Sequence, residues 1–410
     1  RIGRDLAVDG VLEGTVQRLG ARLRVTVQLV SVRRGSACWA ESFQGDYDDL
    51  FEAQDAIAMA VVAGLRLTLT RQEEAGLTRH PTRNLDACRA YVRGRYFWNK
   101  RSRADLDVAI ECFERATRLD PNYPQAYAGL ADAWILRPFY GSARPAESFR
   151  QARDMARRAL ELDASMAEAH TSLAYTDFVY SRRWRTAEER FRQALSCNAY
   201  YATAHHWYGF LLTALGRHEE ALEYATRAHE LEPLSQVIHT DLALAYYFAR
   251  DPEAARSVVD ALVETDASFG YAQFALALIA HGQGQDAVAI AAARAAVECL
   301  EGSTAAQAVL GYVLAPAGGV DEARALLDTL NKTTDPDPAD PNPVDLAPAA
   351  HRALIHLGLG EHDCAFEALA QACDERSNFA AFLGVWPIFD PLRPDPRFEA
   401  LLRRIRPAPD

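Results

Sequence analysis

A spacing of about 34 residues recurs through most of this chain, and it constrains the fold more than any single motif does. The stretch LGRHEEALEYATRAHELEP, residues 215–233, shows one period: Leu-Gly, a charged start, a helical run to Leu231 and then Pro233. Twelve residues before Pro233 and its equivalents lie Ala187, Ala221, Ala255, Ala289 and Ala323. Five residues before them lie Ala194, Ala228, Leu262, Ala296 and Leu330. Helices approach closely only where the contact positions are small, while larger residues at i, i+3 and i+4 fill the grooves around them. The period therefore predicts antiparallel helix pairs stacked in a common register, a mostly α solenoid.

The repeated residues resemble the tetratricopeptide repeat, whose first helix carries W-x2-L-G-x2-Y and whose second carries A-x3-F-x2-A before a proline. Tyr127, Leu130, Ala131 and Trp134 fit one first helix; Tyr208, Gly209 and Leu212 fit another, as do Leu310, Gly311 and Leu314. Ala109, Phe113, Ala116 and Pro121 fit a second helix, as do Ala187, Phe191 and Ala194. The resemblance covers residues 85–379, roughly eight repeats, with a stretched turn at RPFYGSARP and a Pro- and Asp-rich insert, TTDPDPADPNPVD. Residues 380–410 read as a capping segment. In it Trp386, Phe389 and Leu392 cover the open end of the stack, and a short helix follows Pro396.

The resemblance implies that first helices line a concave groove holding a protein or peptide. Register then places Tyr175, Phe210, Leu244, Leu278 and Tyr312 in one inward row. A second row runs through Phe178, Thr213, Tyr247, His281 and Ala315, and a third through Thr171, His206, Thr240, Phe274 and Ala308. The candidate partner-binding residues are Tyr175, Phe178, His206, Phe210, Tyr247, Phe274 and Tyr312, expected as an exposed aromatic strip. Packing between neighbouring helices is the competing assignment for these positions, above all for the Tyr175 row.

The first eighty residues differ. Val11–Gln17 and Leu23–Val30 alternate apolar and polar residues around a Gly-containing turn, a hairpin pattern, and ACWAESF adds a third strand. An amphipathic helix follows, with Leu50, Phe51, Ile57, Val61, Val62 and Leu65 at helical spacing, and Asp46, Asp48 and Asp49 at its start. VLEGTVQR, RLRVTVQLV, CWAESF and DLFEAQDAIA resemble the C-terminal half of the TolB amino-terminal-like or FlgO-like α/β domain, placed over residues 1–78. That resemblance implies an earlier βα portion before Arg1. It also implies a bacterial signalling setting, with a winged-helix, class III nucleotide cyclase or Ser/Thr kinase output domain further upstream. The chain opens RIGRDLAVDG without an initiator Met, which reads as a fragment of a longer polypeptide.

Chemistry is sparse in the sequence. No phosphate loop, zinc-protease helix, nucleophile elbow or kinase motif is present. His205 and His206 are adjacent and diverge by about 100° on a helix, and His351 and His356 are five apart, so neither pair suits one metal. The Asp-Pro run at 335–341 lacks the glycine and terminal glutamate of a calcium loop. The seven cysteines are never spaced as C-x-x-C and are expected to be buried free thiols. No cofactor, metal or catalytic residue is expected.

A formal net charge of −12 argues against nucleic acid as a direct partner. What remains is a noncatalytic interaction module, or the regulatory part of a cyclase or kinase. A homo-oligomer is an open further partnership. Free cysteines favour the cytoplasm, and a periplasmic position in a membrane-anchored regulator is the alternative.

Overall fold

In the computed structural model the described residues are 8–19, 22–46, 50–64, 80–140, 145–300, 303–332 and 349–405. The chain folds as two compact units: one reaches to Arg89 and takes in Arg118–Asn122, the other comprises Ala90–Thr117 and the chain from Tyr123 onward.

In the first unit, strands β1 (Gly10–Leu19), β2 (Arg22–Ser31) and β3 (Ser36–Asp46) form an antiparallel sheet in the order β1-β2-β3. Register pairs Val27 of β2 with Gly14 and Glu41, and Leu29 with Leu12 and Trp39. Alternation turns Val25, Val27 and Leu29 to one side, where Val27 is buried. Helix α1 (Leu50–Gly64) packs on β3, and its Gly64 faces the Trp39 ring so closely that a Cβ would lie 2.8 Å from it. The expected hairpin, third strand and helix are all present. Asp48, Asp49 and Leu65 lie outside the described residues, and Asp46 ends β3.

Eight helix pairs follow among the described residues: α2 (Leu85–Lys100) with α3 (Arg103–Leu119), α4 (Pro124–Leu136) with α5 (Pro145–Leu162), α6 (Ala167–Val179) with α7 (Trp184–Cys197), and α8 (Ala202–Ala214) with α9 (His218–Leu231). Next come α10 (Gln236–Phe248) with α11 (Pro252–Thr265), α12 (Gly270–Gly282) with α13 (Asp286–Cys299), α14 (Thr304–Leu314) with α15 (Val320–Lys332), and α16 (Ala349–Gly358) with α17 (His362–Asp374). The stretched turn after α4 begins as a short 3-10 segment, Arg137–Tyr140, and the Pro- and Asp-rich insert lies outside the described residues.

The alanine register does what its spacing requires. Ala187, Ala221, Ala255, Ala289 and Ala323 are all buried, as are Ala194, Ala228, Leu262, Ala296 and Leu330. Where a large side chain enters the seam, the partner shrinks instead. The Phe113 ring lies against Gly94 and Gly129, and a Cβ at either would come within 2.6 Å of it.

Turns inside the pairs repeat one geometry. A left-handed residue ends the first helix, and the next N–H returns to a carbonyl five residues back. Examples are Arg217 to Leu212 at 2.9 Å, Asp251 to Tyr246 at 3.0 Å and Gln285 to Ala280 at 2.9 Å. Glycine supplies the positive φ at Gly216, Gly284, Gly318 and Gly360, but arginine does so at Arg101, Arg182 and Arg250. An L-residue there costs about 1 kcal/mol, so each arginine needs a reason.

First helices of successive repeats pack on each other, α4 on α6, α6 on α8, α8 on α10, α10 on α12, α12 on α14 and α14 on α16; successive second helices are held further apart. The array therefore curves with its first helices on the inner side. Beyond α17 the chain forms two short 3-10 segments, Asn378–Phe382 and Pro387–Leu392, and then α18 (Pro396–Ile405), which packs back on α17.

Candidate functional site: the inner wall and its strap

From α4 onward the inner wall consists of first helices buried almost all round. In α6 every residue from Thr171 to Val179 is buried, whereas its partner α7 buries only Trp184, Ala187, Phe191 and Ala194. The buried carboxylates inside the wall, Asp132, Asp177 and Asp241, are accordingly paired. Asp241 of α10 accepts from the Tyr271 hydroxyl at 2.6 Å, and its second oxygen lies 2.6 Å from His206 Nε2. This buried line joins α8, α10 and α12.

A second line joins three earlier first helices. Asp132 accepts from Ser172 Oγ at 2.7 Å and from Arg95 Nη1 at 3.2 Å. Burial dominates there and pushes the Asp132 carboxyl up to about 6, with Arg95 opposing the shift.

The seven expected groove residues lie on this wall, but they do not form an open strip. Tyr175, Phe178, His206, Tyr247 and Tyr312 are buried, and Phe210 and Phe274 are half-buried. The Tyr175 ring packs tilted against Trp207 at 4.5 Å, Tyr312 meets His281 at 4.8 Å, and Phe274 lies 6.1 Å from Tyr271. Burial raises the hydroxyl pKa of Tyr175 and Tyr247 well above the usual range, and that of Tyr312 to about 12. The expectation of exposure fails for two reasons. Adjacent first helices close over the Tyr175 row, and the chain's own C-terminal segment covers part of the rest.

That segment is more than an end cap. Phe382 sits among Phe178, Phe210 and Phe248 at 5.9, 6.0 and 5.7 Å, so one ring touches α6, α8 and α10. Trp386 lies 5.5 Å from Phe248 and 4.3 Å from Phe379, and both Phe389 and Leu392 are buried. Trp386, Phe389 and Leu392 are buried, but Trp386 packs on Phe248 in the middle of the array and not over the open end of the stack, where it was expected. End capping falls to α18, through Arg397 to Asp363 at 2.8 Å and an Arg404–Asp374 pair.

The left-handed arginines supply further ties. Arg250 clamps Asp390 through both terminal guanidinium nitrogens, Nη1 to Oδ2, and Nη2 to Oδ1 at 2.8 Å, and holds its carboxyl below the usual range. Arg182 donates to the carbonyls of Cys373 and Arg404 at 3.2 and 3.3 Å. Arg376, itself left-handed after α17, returns a bond to the Tyr180 carbonyl at 3.2 Å. Arg101 has a different occupation, lying over the Trp98 ring at 3.6 Å.

Sequence reasoning missed Phe382, Asp390, Arg182 and Arg250. Their signal was an arginine at 182 and 250 where the period sets glycine at 216, 284 and 318.

The histidines mostly pack. His205 contacts the Ala199 carbonyl at 2.9 Å, and His351 faces Thr304 Oγ1 at 3.1 Å. His356 belongs to a cluster: its Nδ1 lies 2.8 Å from Glu361, and with Cys364 the three donor atoms fall within 4.8 Å of one another. Arg324 already holds the Glu361 carboxylate at 2.7 Å, and its cation opposes a metal there. The cysteines are free, but Cys373 alone is buried; Cys38, Cys299 and Cys364 are exposed, which corrects the expectation of burial.

Stacked helix pairs with a closely packed inner wall define an α-solenoid. One family model for the tetratricopeptide repeat matches residues 97–147 and 176–233, and a second matches 212–279. Residues 97–147 and 176–279 therefore carry tetratricopeptide repeats.

Among curated proteins it is 30% identical over 177 residues to "Putative adenylate cyclase 3" of Rhizobium meliloti, covering 42% of this chain and 30% of that protein. It is 24% identical over 174 residues to the transcriptional regulator HilA of Salmonella typhimurium, covering 42% of this chain and 31% of HilA. The matched part thus spans under a third of either relative. Among solved structures, yeast Tom70 aligns at a TM-score of 0.46 with 16% identity, over 78% of this chain and 67% of Tom70. Pseudomonas aeruginosa PilF aligns at 0.40 with 20% identity, over 54% of this chain and 94% of PilF. No helix among the described residues is long and apolar enough to cross a membrane.

Proposed function

We propose that this chain is a noncatalytic protein-interaction region of a bacterial signalling or transcriptional regulator, taking a peptide or protein segment along the inner wall. The observation that carries this reading is that the wall already accommodates such a segment, with Phe382 held against three successive first helices. The similarity to HilA supports the regulatory setting. The meander and helix of the first unit are consistent with the TolB-like or FlgO-like assignment. The charge of −12 favours protein over nucleic acid as the direct partner.

The test is partner capture by the full chain with crosslinks mapped by mass spectrometry. Crosslinks on first helices, with at least a tenfold weaker interaction for Phe274→Asp and none lost for Glu219→Lys on α9, are expected. Equal loss in both variants, or crosslinks confined to second helices, would remove the inner wall from the reading.

A second reading has its own support in the adenylate cyclase relative: the array regulates a cyclase domain of the same polypeptide. It predicts that the complete polypeptide forms cyclic nucleotide and that deleting the array changes the rate. A complete polypeptide without cyclase activity excludes it.

A further inference from the structure

The stretch between α17 and α18 is fixed at both ends to the last helix pair, yet its middle crosses to helices more than a hundred residues earlier. It is built unlike the repeats. Backbone hydrogen bonds within 378–392 are local, such as Leu383 to Ala380, Trp386 to Phe382 and Phe389 to Trp386. The links to α6, α8 and α10 are side-chain contacts: the Phe382 seat, the Trp386–Phe248 pair and the Arg250–Asp390 clamp. Such a strap can lift from the wall without breaking a helical hydrogen bond of the repeats. Once lifted, it leaves an aromatic recess formed by Phe178, Phe210 and Phe248, with the Arg250 guanidinium at the same wall.

We propose that residues 378–392 are a built-in ligand of the inner wall. The wall beneath them is then the docking surface for a partner segment of the same chemistry: aromatic side chains about one helical turn apart, followed by a carboxylate. The partner displaces the strap, places an aromatic ring in the Phe382 seat and presents its carboxylate to Arg250. This rests on the protein-interaction reading and specifies its groove. Charge supports the carboxylate, because a planar guanidinium that holds Asp390 through two bonds selects an anion over a neutral group. Arginine at a left-handed turn where the period sets glycine at 216, 284 and 318 is accounted for by the same clamp.

Hydrogen exchange on the full chain tests the opening. Strap amides at 378–392 are expected to exchange at least tenfold faster than those of α8 and α10, and faster again in Asp390→Arg. Exchange of all three at one common rate makes the strap inseparable from the core and overturns the proposal, whether or not any variant folds.

The recess is tested with a synthetic peptide of residues 376–395 added to the full-length Phe382→Ser chain. Binding at least tenfold tighter than to the wild type, and abolished when the peptide itself carries Phe382→Ser, is expected. A strap that opens while this peptide fails to bind overturns the partner chemistry. In that case partner capture on first helices, measured separately, still stands or falls alone. Dimers of the Phe382→Ser chain that exclude the peptide would assign the recess to a second copy, against the proposal.

Discussion

The first and second helices of each repeat are of similar length and equally regular, yet they are buried in different ways. Second helices such as α7 and α11 bury a single stripe, Trp184, Ala187, Phe191 and Ala194 in one and Ala255, Val259 and Leu262 in the other. First helices such as α6 and α8 are closed on nearly every side. The difference follows from position. A second helix meets its own partner and the next repeat, and its remaining face meets solvent. A first helix also meets the first helices before and after it, and in the middle of the array it meets the strap. Amphipathic periodicity therefore reports second helices faithfully and says little about which face of a first helix is free.

Five substitutions can break or sharpen this contrast. The largest effect is expected at Phe191, fully buried on the stripe of α7 and stacked on Tyr208 at 5.4 Å. Phe191→Ala should lose about 3–5 kcal/mol in urea unfolding, since truncating a fully buried ring leaves a cavity in the seam. A loss under about 1 kcal/mol would mean that the stripe is not the seam.

Next is Asp132, one of the wall's buried carboxylates; among the described residues no second helix buries one. Asp132 holds its proton more tightly when folded than when unfolded, so its contribution is most favourable at low pH. It is lost as pH rises from about 4 through about 6. Comparing Asp132→Asn with wild type between those limits should shift the stability difference by up to about 3 kcal/mol in the variant's favour as pH rises. A pH-independent difference would show that Arg95 and Ser172 fully compensate for burial.

Third, Phe382→Ala should cost about 2 kcal/mol, less than Phe191 because the ring is half-buried, with the increase in hydrogen exchange confined to the strap and the wall it covers. The smallest effects belong to the turns. Gly216→Arg, where no strap arrives, should lose about 1 kcal/mol to left-handed strain. Arg250→Gly relieves the same strain but gives up the Asp390 clamp, so its melting temperature should change little while the strap loosens. Equal losses at both positions would deny the arginine its compensating contact.

Much of this architecture was legible in advance. The alanines at 187, 221, 255, 289 and 323 located the seams, and the alternation in Leu23–Val30 located a strand, because each is a local periodicity. The partner-binding strip was legible only as a row of positions. That Tyr175 and Phe178 belong on the inner side could be counted from the period. Whether they meet solvent depends on Trp207 thirty residues later and on Phe382 two hundred residues later. The His356, Glu361 and Cys364 grouping was equally invisible, since it forms across a helix-to-helix turn and not along one helix face.

Repeat length, helix pairing and the small-residue seams are properties of the sequence itself, because backbone propensity and close packing act between residues a few turns apart. The closure of the inner wall was settled only in three dimensions. Curvature brings the C-terminal strap against α6, α8 and α10, and contacts made across so long a stretch of chain leave no period to read.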